Sequence, residues 1–381
     1  MQQRLRLPDS SLIYTGKNMI DRSLLRNIDW ILIALLLLNS TLGVAFIYSS
    51  SHYLPGNYYM RQFFWIIISF IILFLFLSID YKTILIYSPY FYIVSIAILG
   101  GMLLLGRFEA GVRSWIRFPF FRVQPSEITK IIVILILAYV FSEFKMQHLS
   151  RGRGVLGGAI IAIPVILVAL QPDLGTALSY VPIFLASLIL AGLKRKTLIF
   201  LLILTLLLGF MGWNFGLKDY QKERLKTLVF PGQDPLGSGY HILQSKIAIG
   251  SGGLLGKGYK EGTQSQLRFL PARHTDFIFS VIGEEFGFIG VVIVMSLYFF
   301  LLLRLFQSIG KSRDRAGVYI IFMVAAMISV QFFVNVMMVV GLFPITGIPL
   351  PLLSYGGSSL LSNYLGISLV LNVKMRRFVN I

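Results

Sequence analysis

The chain of 381 residues has no cysteine, four histidines and few charged groups, only 13% in all. Each shortage excludes something. Without cysteine there is no disulfide framework, no zinc–thiolate site and no cysteine nucleophile. Four histidines and no cysteine argue against a built-in transition-metal centre. A soluble domain carries about 25% charged residues and about 45–50% apolar ones; here the apolar share is 56%, which excludes an ordinary soluble domain and a disordered chain alike. Acids are scarcest: 16 Asp and Glu stand against 34 Lys and Arg, for a net charge of +18. The motifs of zinc proteases, of GxSxG hydrolases with triad partners and of P-loop proteins are also missing. The Lys257 region, rich in glycine, has Gly258 where a P-loop needs Ser or Thr for magnesium. What remains is an integral membrane protein with a basic surplus.

Runs of about 18 or more apolar residues read as membrane helices. Ten are present, near Ile31–Ser50, Phe63–Ile79, Ile84–Leu105, Ile128–Ser142, Val155–Leu170, Thr176–Leu193, Leu198–Phe215, Phe277–Leu303, Val318–Leu342 and Leu352–Asn372. A membrane β-barrel needs alternating segments of roughly ten residues, whereas stretches such as Ile131–Ala138 are continuously apolar. The expected fold is therefore an all-α polytopic membrane protein of ten transmembrane helices. A basic arm (1–29) precedes a single membrane domain (30–381), and a large outer loop (216–275) separates helices seven and eight. The polar arm ahead of a spanning-length run shows no cleavable signal peptide.

Lys and Arg in short loops set the orientation. One set of loops, which includes both termini, carries 19 basic residues against six acids. That set is expected in the cytoplasm. The other face keeps 15 basic residues. Arg107, Arg113, Arg117 and Arg122 share the short loop after helix three, with Lys130 just inside helix four. Nine more, among them Lys246 and Lys257, lie in the long outer loop. Fixed cations clustered beside a membrane suit a phosphate or pyrophosphate, although attraction to anionic lipid accounts for the same charge.

Ionisable residues at membrane depth are functional candidates. In Gln124-Pro125-Ser126-Glu127-Ile128-Thr129-Lys130, proline and an acid mark a helix start. Glu127 and Lys130 there share a face, as a lysine aimed at phosphate or as an ordinary ion pair. In Gln171-Pro172-Asp173-Leu174-Gly175-Thr176, Asp173 suits the outer turn of helix six, as a site residue or a cap. In His274-Thr275-Asp276, the aspartate sits at the outer mouth of helix eight. Ser280, Gly283, Gly287 and Gly290 fall on the same helical face below Asp276. That bare face suits close helix packing or room for a lipid tail. Glu284 and Glu285, deeper still, must pair, stay protonated or face water. Gly237–Ile249 reads as a short interfacial helix, broken afterwards by a glycine run. Pro344–Pro351 reads as a rigid outer loop, and Ser354–Ser359 as small residues entering helix ten.

Several of these segments together resemble the SEDS family (shape, elongation, division, sporulation) of bacterial cell-wall proteins. They are Arg26–Trp30, Ile47–Ser51, Val123–Glu127, Gln171–Thr176, Gly253–Gly258, Gly262–Gln266 with Phe269–Pro271, His274–Phe277, Gly347–Pro351 and Ser354–Ser359. The resemblance covers nearly the whole chain, and Gly262–Gln266 is similar to the elongation-type polymerase rather than the division paralogue. The chain departs from the family at Ala272-Arg273, where an acid is usual, and at Arg113-Ser114, where paired Arg is usual. The resemblance implies polymerisation of lipid II, a disaccharide-pentapeptide on polyprenyl pyrophosphate, on the outer face of the bacterial cytoplasmic membrane. It implies Asp276 as general base on the acceptor 4-hydroxyl, with inversion at the donor's anomeric carbon. Arg113, Trp115, Arg117, Glu127, Lys130, Asp173, Lys246, His274, Thr275 and Ser358 are the expected substrate-binding residues. No protein-built metal site is expected, and a divalent cation, Mg²⁺ or Mn²⁺, bridging phosphate to a carboxylate stays open. A class B penicillin-binding protein and other elongation-complex membrane proteins are the implied partners, with no nucleic acid. Two other readings fit ten helices with buried charge: a lipid II flippase or other transporter, and a scaffold of the elongation machinery without chemistry.

Overall fold

The computed structural model describes residues 26–105, 114–118, 121–142, 151–192, 199, 222, 227 and 237–378. The described chain is almost entirely helical. α1 spans Trp30–Ser51, α2 Tyr58–Ser78, α3 Tyr81–Ile86 and α4 Ser88–Leu105. A hairpin of two short strands, β1 (Ile116–Arg117) and β2 (Arg122–Val123), follows. Then come α5 (Pro125–Ser142), α6 (Arg151–Leu170), α7 (Leu174–Leu178), α8 (Val181–Leu190), α9 (Ser238–Ser251) and α10 (Thr263–Gln266). α11 (Ile278–Ile309), α12 (Arg315–Val339) and α13 (Gly357–Met375) close the bundle. Six of these helices are long and apolar enough to cross a membrane, so the chain is a multi-pass membrane protein. Most of the N-terminal arm, the seventh expected span and the first part of the large outer loop lie outside the described residues.

Where the helices differ from expectation, the local chemistry explains it. The third expected span is two helices, α3 and α4, separated at Tyr87, just ahead of Ser88-Pro89. Proline disfavours helical backbone in the residue before it. The sixth is divided into α7 and α8 ahead of Pro182. The tenth starts at Gly357 rather than Leu352, because Pro349 and Pro351 cannot donate helical hydrogen bonds and Leu352 adopts φ 68°. The β hairpin, with Ile116 opposite Val123 and Arg117 opposite Arg122, was not expected in an all-α fold. It folds the short Arg-rich loop back on itself.

One end of the bundle is tied by charge. Asp29 caps α1 through Leu32 N and accepts two hydrogen bonds from Arg304, at 2.8 and 3.0 Å, and one from Lys374. Burial alone would raise the Asp29 pKa, but these donors and their charges outweigh it and hold the carboxyl below its ordinary value. At the same end Asp314 caps α12 at Gly317 N and accepts from Tyr81 at 2.5 Å. The start of α1 is thus joined to the ends of α11 and α13.

α11 is broken. Gly287 has φ 60° and ψ −153°, far from helical values. The carbonyls this break releases are filled by the glycine run: Lys257 N donates to Glu284 O, and Gly258 N to Glu285 O, both at 3.0 Å. In return Phe288 N donates to Gly253 O at 2.9 Å and Ile289 N to Leu254 O at 3.2 Å. Irregular backbone at membrane depth survives only when its polar groups are satisfied inside the protein. Both acids at this depth find partners. Glu284 accepts from Lys257 Nζ at 2.9 Å and from the backbone of Gln264 at 2.7 Å and Ser265 at 3.1 Å; Glu285 accepts from Ser49.

The glycines are required by space. Gly256 has φ 82°, and a Cβ there would lie 2.1 Å from Glu285 O. Gly256→Val is therefore expected to destabilise the protein by about 2–4 kcal/mol, through backbone strain and overpacking together. Gly250, at the end of α9, has nothing within 4 Å, so Gly250→Ala should be neutral or slightly stabilising. Thermal unfolding midpoints in detergent measure the contrast; equal midpoints for the two variants would contradict it.

Candidate active site

The end of the bundle opposite Asp29 is organised by a non-helical strap, residues 340–356, between α12 and α13. Asn335 Nδ2 donates to both Asp276 O and Ile348 O at 2.9 Å. Ser354 Oγ accepts from Leu350 N at 2.9 Å and donates to Thr275 O at 2.5 Å. Tyr355 N donates to His274 O at 2.9 Å. The main chain of His274, Thr275 and Asp276 is therefore pinned at each of three consecutive carbonyls. The half-buried Asp276 carboxylate lies along the strap: a Cβ on Gly347 would come 3.8 Å from Asp276 Oδ2.

A second group meets the strap from another side. Gly175 in α7 lies against it so closely that a Cβ would stand 2.0 Å from Thr346 O. Asp173 caps α7 through Thr176 N at 3.1 Å, as its cap reading expects, and its other oxygen accepts from Gln124 Nε2 at 2.7 Å. Gln124 N in turn donates to Ser358 Oγ at 2.9 Å. Three separated motifs thus meet at one place. One turn into α5, Lys130 Nζ donates to Glu127 Oε1 at 2.8 Å, and the pair is buried. Ser362 Oγ and Tyr180 OH hold the carbonyls of Glu127 and Ser126. Glu127 Oε2 is buried with no hydrogen-bond partner.

Other expected residues lie further out. Trp115 and Arg117 sit on the hairpin, half-buried and exposed respectively; Arg113 lies outside the described residues. Lys246 is exposed on α9, its chain folded over Gly341. The bare face below Asp276 is not a lipid groove. Ser280 Oγ meets Ser245 Oγ of α9 at 2.8 Å, Gly283 packs against Ile249, and the break at Gly287 ends the helical register that aligned Gly290. Close packing of small residues accounts for that face. Among the described residues no three His, Asp or Glu side chains are placed to hold a metal ion.

The start of α2 belongs to this site although its sequence drew no notice. Gln62 Nε2 donates to Ser354 O at 3.1 Å and Gln62 Oε1 accepts from Gly356 N at 3.2 Å. The Tyr58 ring lies 4.6 Å from His274 and 5.1 Å from Tyr355. Polar residues at i, i+3 and i+4 in the first turn of an apolar helix were the available signal. Arg273, where an acid was expected, turns inward, and its Nε donates to Ser50 O at 2.5 Å near the end of α1. A cation suits a helix C-terminus.

A buried polar network at one end of a multi-pass helical bundle defines a membrane protein with an active-site-like mouth. The chain belongs to the FtsW/RodA/SpoVE cell cycle protein family, whose pattern it matches over residues 29–378. It is 40% identical to the Escherichia coli K12 peptidoglycan glycosyltransferase MrdB over 291 residues, 76% of this chain and 78% of that one. It is 33% identical to the Treponema pallidum peptidoglycan glycosyltransferase RodA, covering 92% of this chain and 98% of that one. Among solved structures, a chain described under structural coordination of polymerization and crosslinking by a peptidoglycan synthase complex superposes with a TM-score of 0.79. That chain is 32% identical, with 93% of this chain and 99% of that one covered. The crystal structure of Thermus thermophilus RodA superposes at 0.70, 29% identical, over 93% and 98% of the two chains.

His274 yields a pH dependence. Burial, and then the charge of Arg273, lower its pKa from 6.5 to about 4. The folded protein thus keeps the ring neutral, while the unfolded chain protonates it near 6.5. Between those values the unfolded state binds the extra proton, so stability falls as pH drops through this window and is full above it. His274→Gln removes this contribution. The thermal midpoint of the variant should fall less than that of the wild type between about pH 7 and pH 5; parallel curves would contradict the assignment.

Proposed function

We propose that the chain polymerises lipid II on the outer face of the bacterial cytoplasmic membrane, with Asp276 as general base. Its activity class is that of its relatives: it is a peptidoglycan glycosyltransferase of cell elongation. The observation that carries the role of Asp276 is its fixation. Hydrogen bonds from Asn335, Ser354 and Tyr355 hold three consecutive main-chain carbonyls of its segment, which fixes the position from which the side chain acts. Positioned acids and bases contribute about 10²–10⁴ in rate.

In this reading the acceptor sugar 4-hydroxyl attacks the anomeric carbon of the donor. The new C–O bond forms as the bond from that carbon to the pyrophosphate oxygen breaks. The hydroxyl proton passes to Asp276, and polyprenyl pyrophosphate leaves with the bonding electrons. One displacement inverts the anomeric centre. Pyrophosphate leaves without prior protonation, so one carboxylate suffices where a glycosidase uses two. Arg113, Arg117 and Lys130 stabilise the departing charge, and Glu127 orients Lys130. The buried Glu127–Lys130 pair acts through a low-dielectric interior, where charges are felt strongly. Asp173, Ser358, Trp115, Lys246, His274 and Thr275 complete the binding surface.

Ten spans with both termini cytoplasmic are proposed with it. The 19 basic residues assigned to the inner loops support that orientation. So does the meeting of Asp29, Arg304 and Lys374 at one end, with Asp276 and Ser358 at the other. A class B penicillin-binding protein is the proposed transpeptidase partner, supported by the likeness to a chain of a peptidoglycan synthase complex.

Purified Asp276→Asn given lipid II should polymerise at least about a hundredfold more slowly than wild type. Polymerisation at the wild-type rate would sink the base assignment. Scrambling of labelled lipid II across liposomes, with no glycan formed by the wild type, would favour transport instead.

A further inference from the structure

The turn that carries Asp276 closes on one atom. Ala272 O accepts from Thr275 N at 3.1 Å, from Thr275 Oγ1 at 3.1 Å and from Phe277 N at 3.3 Å. Both neighbours of Asp276 are therefore bonded to the carbonyl of the peptide that joins Ala272 to Arg273. The plane of that peptide sets how the turn presents Asp276. Ala272 itself lies in the left-handed region, with φ 48°. A residue with a Cβ stays there only where its surroundings over-determine it. Ahead of it the chain is held by the buried Leu270, whose N donates to Gln264 O at 3.2 Å. Beyond it the anchor is the Arg273 side chain.

Arg273 is 4% exposed, and among the described residues no carboxylate pairs with it. Its Nε donates instead to Ser50 O at 2.5 Å. The last four residues of α1, Tyr48 to Ser51, have carbonyls that the helix itself does not fill. They are filled in turn by His52 N, Gln266 Nε2, Arg273 Nε and Leu54 N. The partial negative charge of a helix end suits a buried guanidinium that has no acid. Two side chains of the outer loop thus grip the same helix end. Gln266 stands well ahead of Asp276 in the chain, whereas Arg273 is part of its turn.

We propose that Arg273 is a positioning residue for Asp276: hung from the end of α1, it fixes the Ala272 peptide and, through it, the turn from which the carboxylate acts. The strap holds the carbonyls of His274, Thr275 and Asp276 from one side, and α1 holds the same segment from another. The inference rests on Asp276 as the general base. Capping of α1 alone is a role Arg273 would share with Gln266, and the test separates the two.

The experiment measures kcat and KM for lipid II polymerisation by purified variants. Glutamine places its Nε2 as many bonds from Cα as the arginine Nε, and methionine places a methyl group there. Arg273→Met should lower kcat at least about tenfold with KM within about twofold, because a displaced reacting group slows chemistry more than binding. Arg273→Gln should keep kcat within about threefold of wild type, since its donor still reaches Ser50 O. Gln266→Met, which also uncaps α1, should keep kcat within about twofold. In an Asp276→Asn background, Arg273→Met should cost less than about a further twofold, because one residue acts through the other. Wild-type kcat in Arg273→Met, whatever its thermal midpoint, would overturn the proposal. So would equal losses in the Gln and Met variants, which would make charge the agent, or a Gln266→Met loss as large as that of Arg273→Met. A full further loss in the double variant would also overturn it. Undiminished polymerisation by Asp276→Asn alone would count against the base reading, and it is seen without any Arg273 variant.

Discussion

Backbone that leaves the helix near a membrane has to satisfy its own hydrogen bonds, and the end of this protein that carries Asp276 is built on that constraint. Two stretches break helical geometry there. One is the strap of residues 340–356; the other is the pairing of the 253–258 run with the break at Gly287. In water either could be left to solvent. In lipid each unsatisfied group costs several kcal/mol. The strap therefore recruits Asn335, Ser354 and Gln62 as side-chain partners, and the same bonds fix the carbonyls of His274, Thr275 and Asp276. Satisfying the backbone and positioning the carboxylate are one operation.

The break in α11 has a parallel logic. A continuous helix from Ile278 would keep its carbonyls to itself. Broken at Gly287, it offers those of Glu284 and Glu285 to the glycine run and receives the carbonyls of Gly253 and Leu254 in exchange. Glu284 then binds the backbone of α10 and the ammonium of Lys257, so a deep acid becomes the anchor of the segment that leads to His274. The α1 end joins the same network, through Ser49 to Glu285 and Ser50 to Arg273. Charge is managed locally throughout: Lys130 by Glu127, Lys374 by Asp29, Lys257 by Glu284.

Much of the site was legible because its chemistry is unusual for a membrane span. Glu127 with Lys130, Asp173 after a proline, and Asp276 at a helix mouth are polar groups in places where polarity needs a reason. Their grouping was expected from resemblance alone; the contact of Gln124 with both Asp173 and Ser358 gives it a physical basis. The face of Gly283 stayed open between close packing and room for a lipid tail, and the structure decides for packing. Periodicity places residues on a face but does not say what covers that face, and α9 does so through Ser245 and Ile249.

The sequence by itself determined the apolar helices, the uneven distribution of 34 basic residues and the positions where charge must enter the membrane. These follow from local properties: hydropathy, helical period and the cost of an unpaired charge. Only the tertiary structure decided which of those charges are sealed and which face the mouth. Lys130 closes on Glu127 and Arg273 turns to the end of α1, whereas Arg117 stays exposed on the hairpin. The physical reason is distance along the chain. Gln62 and Ser354 are almost the whole length of the protein apart, and their hydrogen bond depends on how α13 packs along α2, which no local pattern encodes.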